Sequence, residues 1–304
     1  MEGCPVRVAI LDLDIPVYHC GQACEDEEDW ETVTNTVDLY LQGWLSKAGA
    51  THYVGYLTDS PKNYRNILGV TWPYKGHRKA TSKPQYYQRI RDYMVEHWGA
   101  QVLSGIEADD GLAIAQGFFK SRGIQSVIVT EDKDLLQVPG LHYNVNKSDK
   151  VFEISEEQGD RNLWLQVITG DKTDNIPGVS HAISESLTGT YNAWLQTVPW
   201  DGRRPYRKYP LQELYGPKSA EKYLEEYPLE QWPSKVLELY IEKYEDEEED
   251  EGYGALRFQE TFDLIYMLRT SKEAEQWLDE ELDFKPKEVP VPKGVASMFK
   301  VYED

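Results

Sequence analysis

The stretch Arg7-Val8-Ala9-Ile10-Leu11-Asp12-Leu13 reads RVAILDL. It is a short apolar run with β-branched members, and that predicts a buried strand. Asp12 cuts the run at once, so no secretory leader is expected. Working outward, Thr51 to Leu57 (THYVGYL) and Ser126 to Thr130 (SVIVT) have the same character, and QVLSG ends at Gly105. Trp30 to Leu45, Gln85 to His97 and Asp109 to Lys120 carry helical spacing between them. Strands alternating with helices predict an α/β fold, a mostly parallel central sheet with helices on both faces. In such sheets, sites form beyond the carboxyl ends of the strands.

From Arg161 onward the pattern turns helical, over Arg161 to Val167, Pro217 to Glu226, Leu229 to Tyr244 and Ala255 to Arg269. Glu245 to Glu251 (EDEEEDE) reads as a solvated loop. The chain has 304 residues, 40% of them hydrophobic, enough for one large domain or two modest ones. Its net charge of -21 argues, taken whole, against a nucleic-acid partner. Cys4, Cys20 and Cys24 have no framework spacing, which points to a reducing, cytoplasmic setting. No Cys/His pair follows them, so no zinc site is expected. No apolar run reaches membrane-spanning length, so no membrane partner is expected.

The acids fall in one pattern. Asp12 ends the first strand, Asp59 follows the second, and Glu107, Asp109 and Asp110 follow QVLSG in GIEADD. Asp132 and Asp134 follow SVIVT, and Asp171 and Asp174 lie in ITGDKTDNIPGV. A single strand-end Asp is usually a turn former or a cap, and GIEADD is also a helix-start pattern. Several carboxylates on one edge repel strongly, and some must hold protons unless cations neutralise them. Oxygen ligands without His or Cys suit magnesium or manganese. Two such ions can activate a water and stabilise the leaving oxygen of a phosphodiester.

Charge patterning then qualifies the bulk charge. Lys62, Arg65, Lys75, Arg78, Lys79, Lys83, Arg89 and Arg91 lie in a stretch with no acid, interleaved with Trp72, Tyr74, Tyr86 and Tyr87. Phosphates and stackable bases fit such a run. A second patch holds Arg203, Arg204, Arg207 and Lys208.

ILDLD, LTDS, PYKGHR, GIEADD, TEDKDLLQ and GDKTDNIPGV, in this order, resemble the 5′-to-3′ exonuclease and flap endonuclease superfamily, with its PIN-like fold. The likeness is to phage 5′-3′ exonucleases and to the 5′-nuclease domain of bacterial DNA polymerase I, over about Val6 to Arg269. It implies a metal-dependent 5′-to-3′ exonuclease or structure-specific flap endonuclease that leaves 5′-phosphates in phage-type replication or primer removal. Its substrates would be DNA with 5′ ends, flaps or nicks, and RNA-DNA hybrid. Two Mg2+ are implied, or Mn2+. Asp12, Asp59, Glu107, Asp109, Asp110, Asp132, Asp134, Asp171 and Asp174 match the metal positions, and Asp12 and Asp132 head the catalytic set. Lys75 and Arg78 match the basic residues facing the scissile phosphate. By the resemblance Tyr74 would stack on the terminal base; by their charge or helix-start position, Lys79, Lys83, Arg203, Arg204, Arg207, Lys208, Gly216 and Lys218 are expected on the nucleic acid. Asp14 has no counterpart and reads as a helix cap.

The likeness implies a nuclease core over 1–160 with a basic arch at about 62–91, a helical DNA-clamp region over 161–284, and a flexible tail over 285–304. It breaks after Val179. The family's glycine-rich hairpin is absent there, and Gly216-Pro217-Lys218-Ser219-Ala220 reads as a remnant of a modified helix-hairpin-helix after an insertion at about 180–214. That leaves a K+ ion at the hairpin open. Leu13 also stands where a glycine is common. Ala296 to Tyr302 (ASMFKVY) reads either as an ordinary terminus or as a motif docking on a sliding clamp or another replication protein. Two other functions compete: a PIN-like single-strand ribonuclease, and a non-catalytic DNA-binding replisome scaffold.

Overall fold

The structure, a computed structural model, describes residues 6–71, 73–76, 82–147, 150–179, 216–244 and 252–290. The strands are β1 (Arg7–Asp12), β2 (His52–Asn63), β3 (Gln101–Gly105), β4 (Gln125–Thr130), β5 (Gly140–Asn144), β6 (Phe152–Ile154) and β7 (Lys287–Glu288). The helices begin with α1 (Asp14–Ala23), α2 (Trp30–Ala48), α3 (Arg65–Leu68), α4 (Tyr87–His97) and α5 (Ala108–Ser121). They continue with α6 (Glu156–Thr169), α7 (Pro217–Glu225), α8 (Trp232–Tyr244), α9 (Tyr253–Ile265) and α10 (Ser271–Ala274).

Two compact units result. One comprises Met1–Ser60, Lys83–Ile154 and Leu268–Asp304; the other comprises Pro61–Ser82 and Ser155–Met267. The first is built on the sheet, in the order β3-β2-β1-β4-β5-β6, with β7 paired to β2. RVAILD lies at the sheet's centre. It runs parallel to β2, with Val8 opposite His52 and Asp12 opposite Tyr56, and parallel to β4, with Leu11 opposite Val129. A central strand is covered on both faces, so it must be apolar throughout. Ala9 and Leu11 pack in one core with Val33, Val37 and Leu41 of α2 and Ile90 and Met94 of α4. Val8 and Ile10, equally buried, point the other way by strand alternation, toward α5, which packs on β1 and β4. Helices therefore cover both faces.

α2 shows how the sequence sets an element. Asp29 caps it, accepting from the amides of Glu31 and Thr32, and Gly49 ends it at φ 62°. Val33, Val37, Leu41, Trp44, Leu45 and Ala48 form its buried stripe. Each large member stabilises the fold by about 1.5–3 kcal/mol through burial. β5, β6, β7 and α1 go beyond the sequence reading. β6 is antiparallel to β5, and β7 is two residues antiparallel to His52 and Tyr53. So short a strand, inside KPKEVPVPK, is defined by its partner and not by its own pattern. Lys287 and Glu288 were expected in a flexible tail; here they pair with the sheet.

The second unit is helical. α6, α7, α8 and α9 enclose Val167, Ile168, Leu224, Val236, Leu239 and Tyr240. Tyr240 donates to Val167 O (2.7 Å), and Tyr244 donates to the carbonyls of Gly178 and Val179 (3.1 Å each). Part of the tyrosine excess thus serves to satisfy buried carbonyls. The stretch 61–82 clusters with these helices, not with the sheet as expected. The reason is Arg65, 1% exposed, whose guanidinium donates to Leu264 O and Tyr266 O (2.9 Å each) at the end of α9. Arg65→Met is expected to lower unfolding free energy by about 3 kcal/mol, because two buried carbonyls lose their donors. A urea midpoint equal to wild type would show those bonds to be dispensable. Among the described residues, no helix is long and apolar enough to cross a membrane.

Candidate functional site

The carboxyl edge of the sheet carries the acids. Asp12 is the last residue of β1 and is 5% exposed. Its Oδ2 accepts from Thr130 Oγ1 (2.8 Å), at the end of β4. The same Thr130 oxygen accepts from Asp132 N (3.0 Å), and Asp132 Oδ1 accepts from Asp134 N (2.8 Å). One hydroxyl therefore stitches Asp12 to the Asp132 loop across neighbouring parallel strands. Burial first, then the charges of Asp14 and Asp132, push the Asp12 carboxyl up to about 8, against the lowering bond from Thr130. A carboxylate placed so needs a proton or a cation.

Asp12 and Asp132 open on one cleft of about 420 Å³, with Glu131, Lys133, Asn146 and Lys147 also on its walls. Glu131 escaped the sequence reading, as did Thr130. Glu131 accepts from Asn146 Nδ2 and lies 3.7 Å from His19 Nε2, whose Nδ1 meets Tyr40 Oη at 2.6 Å. The signal available for Thr130 was its position: a Thr immediately before the strand-end acids, in TED as in LTDS. Thr58 repeats the pattern, since its Oγ1 accepts from Ala108 N (2.9 Å) and so ties β2 to the start of α5.

GIEADD opens α5 with Glu107 as N-cap. Glu107 and Asp110 form a reciprocal capping box, in which Asp110 Oδ2 accepts from Glu107 N (3.3 Å). Asp110 is fully buried, and its Oδ1 accepts from Leu268 N (3.0 Å). Both its oxygens are engaged by backbone amides, which is a structural use of a residue expected to ligate metal. Glu107 is buried at the helix mouth, while Asp109 and Asp59 are half-buried. Asp14 is no N-cap, which is Leu13. Asp14 sits in the first turn of α1 and accepts from Thr58 N and Arg91 Nη1 (3.0 Å each). Its burial raises its pKa against those two contacts. Among the described residues, no three His, Cys, Asp or Glu side chains stand as a group that would hold a metal ion. The donor set at the edge, all carboxylate and hydroxyl oxygen, fits a hard divalent cation; the observed rotamers do not close on one.

In the helical unit, GDKTDNIPG folds into a tight loop. Gly170 (φ 70°) and Gly178 (φ 65°) meet back to back, and a Cβ on Gly178 would lie 2.3 Å from Gly170 N. Asp171, 4% exposed, accepts through Oδ1 from Thr173 N (2.6 Å) and Asp174 N (3.2 Å). Asp174 binds the turn that carries PYKG. Its Oδ2 accepts from Tyr74 Oη (2.8 Å) and lies 3.6 Å from Lys75 Nζ, and its carbonyl accepts from Lys75 N (2.9 Å). Asn175 Nδ2 donates to Pro73 O (2.9 Å). Lys75 holds φ 54°, a left-handed conformation that costs a non-glycine residue on the order of 1–2 kcal/mol.

The basic run divides on inspection. Arg65 and Arg91 are buried and bonded internally, and Arg89 lies over the Trp30 ring (4.0 Å). Tyr74, Tyr86 and Tyr87 are 8%, 6% and 7% exposed, so their rings are core surface and offer little face to a base. Long Arg and Tyr side chains bury their bodies while their polar ends find partners, which charge counting does not register. Lys83 lies over the Tyr87 ring (4.2 Å). Gly216 caps α7, and Lys218 is exposed in its first turn. Arg78, Lys79, Arg203, Arg204, Arg207, Lys208, the insertion, EDEEEDE and ASMFKVY lie outside the described residues.

No protein-family model matches the chain. Among curated proteins it is similar to a 5′-3′ exonuclease of Buchnera aphidicola subsp. Schizaphis graminum, 32% identical over 132 residues, covering 40% of this chain and 45% of that protein. It is also similar to DNA polymerase I of Streptococcus pneumoniae, 33% identical over 158 residues, covering 47% of this chain and 18% of that protein. The chain thus spans less than half the length of these relatives. Among solved structures it shows a loose likeness to the bacteriophage T5 flap endonuclease in a pseudo-enzyme-product complex with DNA and metal ions (13% identity, 85% of this chain, 99% of that chain, TM-score 0.45). A second is T5 5′-exonuclease with divalent zinc bound (13% identity, 86% and 99%, TM-score 0.43).

Proposed function

We propose that this chain is a divalent-metal-dependent phosphodiesterase acting from DNA 5′ ends, a 5′-to-3′ exonuclease or flap endonuclease. One observation carries the reading: Asp12, buried at the carboxyl edge and stitched by Thr130 to the Asp132 loop, is pushed to about 8 by burial and like charge. The names of the sequence relatives, 5′-3′ exonuclease and DNA polymerase I, support the same reading.

Asp12, Glu107, Asp109 and Asp132 would hold two magnesium ions, or manganese, after rotamer changes, with Asp59 and Asp134 beside them. Such ions supply an activated water and a counter-charge for the leaving 3′ oxygen. The chain's own residues prepare for this. Thr130 fixes the Asp12 carboxyl, and a bound cation would offset the burial and like charge that raise its pKa. Asp110 fixes the amide of Glu107 and so the start of α5. Asp171 and Asp174 shape the loop under the PYKG turn rather than ligate. Lys75 presents its ammonium, now paired with Asp174, to a phosphate of the nucleic acid; Arg78 has the same role by resemblance.

The test uses the purified 304-residue chain with a 5′-labelled flap, a nicked duplex, an RNA-DNA hybrid and single-stranded RNA, in magnesium or in chelator. Metal-dependent release from DNA 5′ ends is the expected result, and the hybrid arm reads whether RNA primers are substrates. Cutting of RNA alone points to a PIN-like ribonuclease. Binding without cleavage in both magnesium and manganese points to a scaffold and sinks the enzymatic reading. A parallel arm omitting potassium reads whether the Gly216 region uses that ion. Pull-down of replication proteins with and without residues beyond Lys285 reads the proposed tail motif.

A further inference from the structure

We infer that Glu260 is a positioning residue for Lys75, gripping the PYKG turn from α9 through Thr71. This rests on the nuclease reading above. The geometry lies wholly within the helical unit. Glu260 Oε1 accepts from Thr71 N (2.6 Å), and Glu260 Oε2 accepts from Thr71 Oγ1 (2.5 Å) and from Arg257 Nη1 (2.6 Å). Both side chains of the ion pair are buried, Arg257 at 2% and Glu260 at 9% side-chain exposure. Arg257, Glu260, Thr261 and Leu264 share one face of α9 by helical spacing, and the Leu264 carbonyl on that helix also receives Arg65. The segment 65–71 is therefore pinned along the helix at two points one turn apart.

Several observations indicate that this pair serves the turn and not merely the core. Arg257 is an expensive group to bury, and its Nε and Nη2 find no acceptor among the described residues. An apolar pair of similar volume would fill the same space at lower cost. What an apolar pair would not supply is the two-pronged hold on Thr71. Beyond Thr71 the chain runs to Pro73, which Asn175 grips, and to Lys75, whose amide Asp174 grips. The turn is clamped on its entry side by Glu260 and on its exit side by the GDKTDNIPG loop. A left-handed lysine needs its conformation imposed from both sides, since left to itself it relaxes. Aspartate and asparagine at 174 and 175 supply one constraint, and Glu260 supplies the other.

Removing the pair together avoids an orphaned buried charge. Arg257→Met with Glu260→Met should still fold, with a lowered urea midpoint because the two Thr71 donors lose their acceptor. Hydrogen exchange in the peptide covering 71–76 should accelerate about tenfold or more in that double variant. Turnover on the 5′-flap substrate should fall roughly 10- to 100-fold, with the substrate dissociation constant within about threefold of wild type, as expected for a misplaced group. Thr71→Val should show the same pattern more weakly, and Thr71→Ser should recover both readouts. Unchanged exchange in 71–76 overturns the clamp. Faster exchange with unchanged turnover overturns its catalytic use. A wild type that cleaves no 5′ end in magnesium or manganese overturns the nuclease reading itself, and the exchange result then stands apart from it.

Discussion

Asp12→Asn is expected to lower turnover on DNA 5′ ends on the order of a thousandfold or more, about 4 kcal/mol of barrier, while leaving DNA affinity nearly unchanged. The same substitution should stabilise the metal-free protein near neutral pH. The folded carboxyl sits at about 8 and the free one near 3.8, so the folded state binds the proton more tightly between those values. The contribution of this group to wild-type stability should therefore fall as pH rises from about 4 to about 8 and level off above, by up to about 1.4 kcal/mol per pH unit. Asparagine removes that slope. Added magnesium should raise the wild-type melting temperature at pH 8 and leave Asp12→Asn almost unmoved. Thermal melts at pH 5 and pH 8, with and without metal, check all of this at once. A variant with wild-type turnover, or a wild type whose stability climbs from pH 5 to 8 by the amount seen in the variant, would remove Asp12 from the site. Asp132→Asn should lose most turnover as well, since Thr130 joins the two positions.

Gly105→Ala is the second large effect, and it is structural. Gly105 takes φ 97°, and a Cβ there would lie 1.7 Å from the Trp277 carbonyl oxygen. Backbone at that distance must move as a whole, so the expected loss is about 4 kcal/mol or more. The displaced segment does useful packing. Ser104 Oγ donates to Asp279 Oδ2 (2.8 Å), Tyr56 Oη donates to Asp283 O (3.1 Å), and Leu268 N donates to Asp110 Oδ1 (3.0 Å). Residues from Leu268 onward therefore brace the mouth of α5, where Glu107 and Asp109 sit. A urea unfolding curve matching wild type would mean that this brace is absent.

How much of this was legible in advance differs by residue. RVAILD and SVIVT announced themselves, because a central strand covered on both faces has to be apolar from end to end. α2 and α5 announced themselves through their buried stripes and acidic or capped starts. The acids at strand ends followed from those strands. Thr130 and Thr58 did not stand out, since a threonine at a strand end looks the same whether or not its hydroxyl bonds a distant segment. Glu131 was hidden beside Asp132. Arg65 and Arg91 were counted as phosphate-facing, yet they lie inside, because a guanidinium can satisfy buried carbonyls and carboxylates as readily as phosphates.

By itself, then, the sequence determined the α/β class, the central strands, the main helices and the rank of acids at the sheet's edge. Each of these is written in local periodicity or in chemistry confined to a few neighbouring residues. The tertiary structure alone decided which distant partners several of these acids meet. Asp110 is taken by Leu268 N, Asp171 by its own loop, and Asp174 by Tyr74 and Lys75. It also decided that the stretch 61–82 belongs with the helices and that Glu260 reaches Thr71. Those outcomes depend on hydrogen bonds between residues far apart in the chain, and a carboxylate carries no local mark of the partner it will meet.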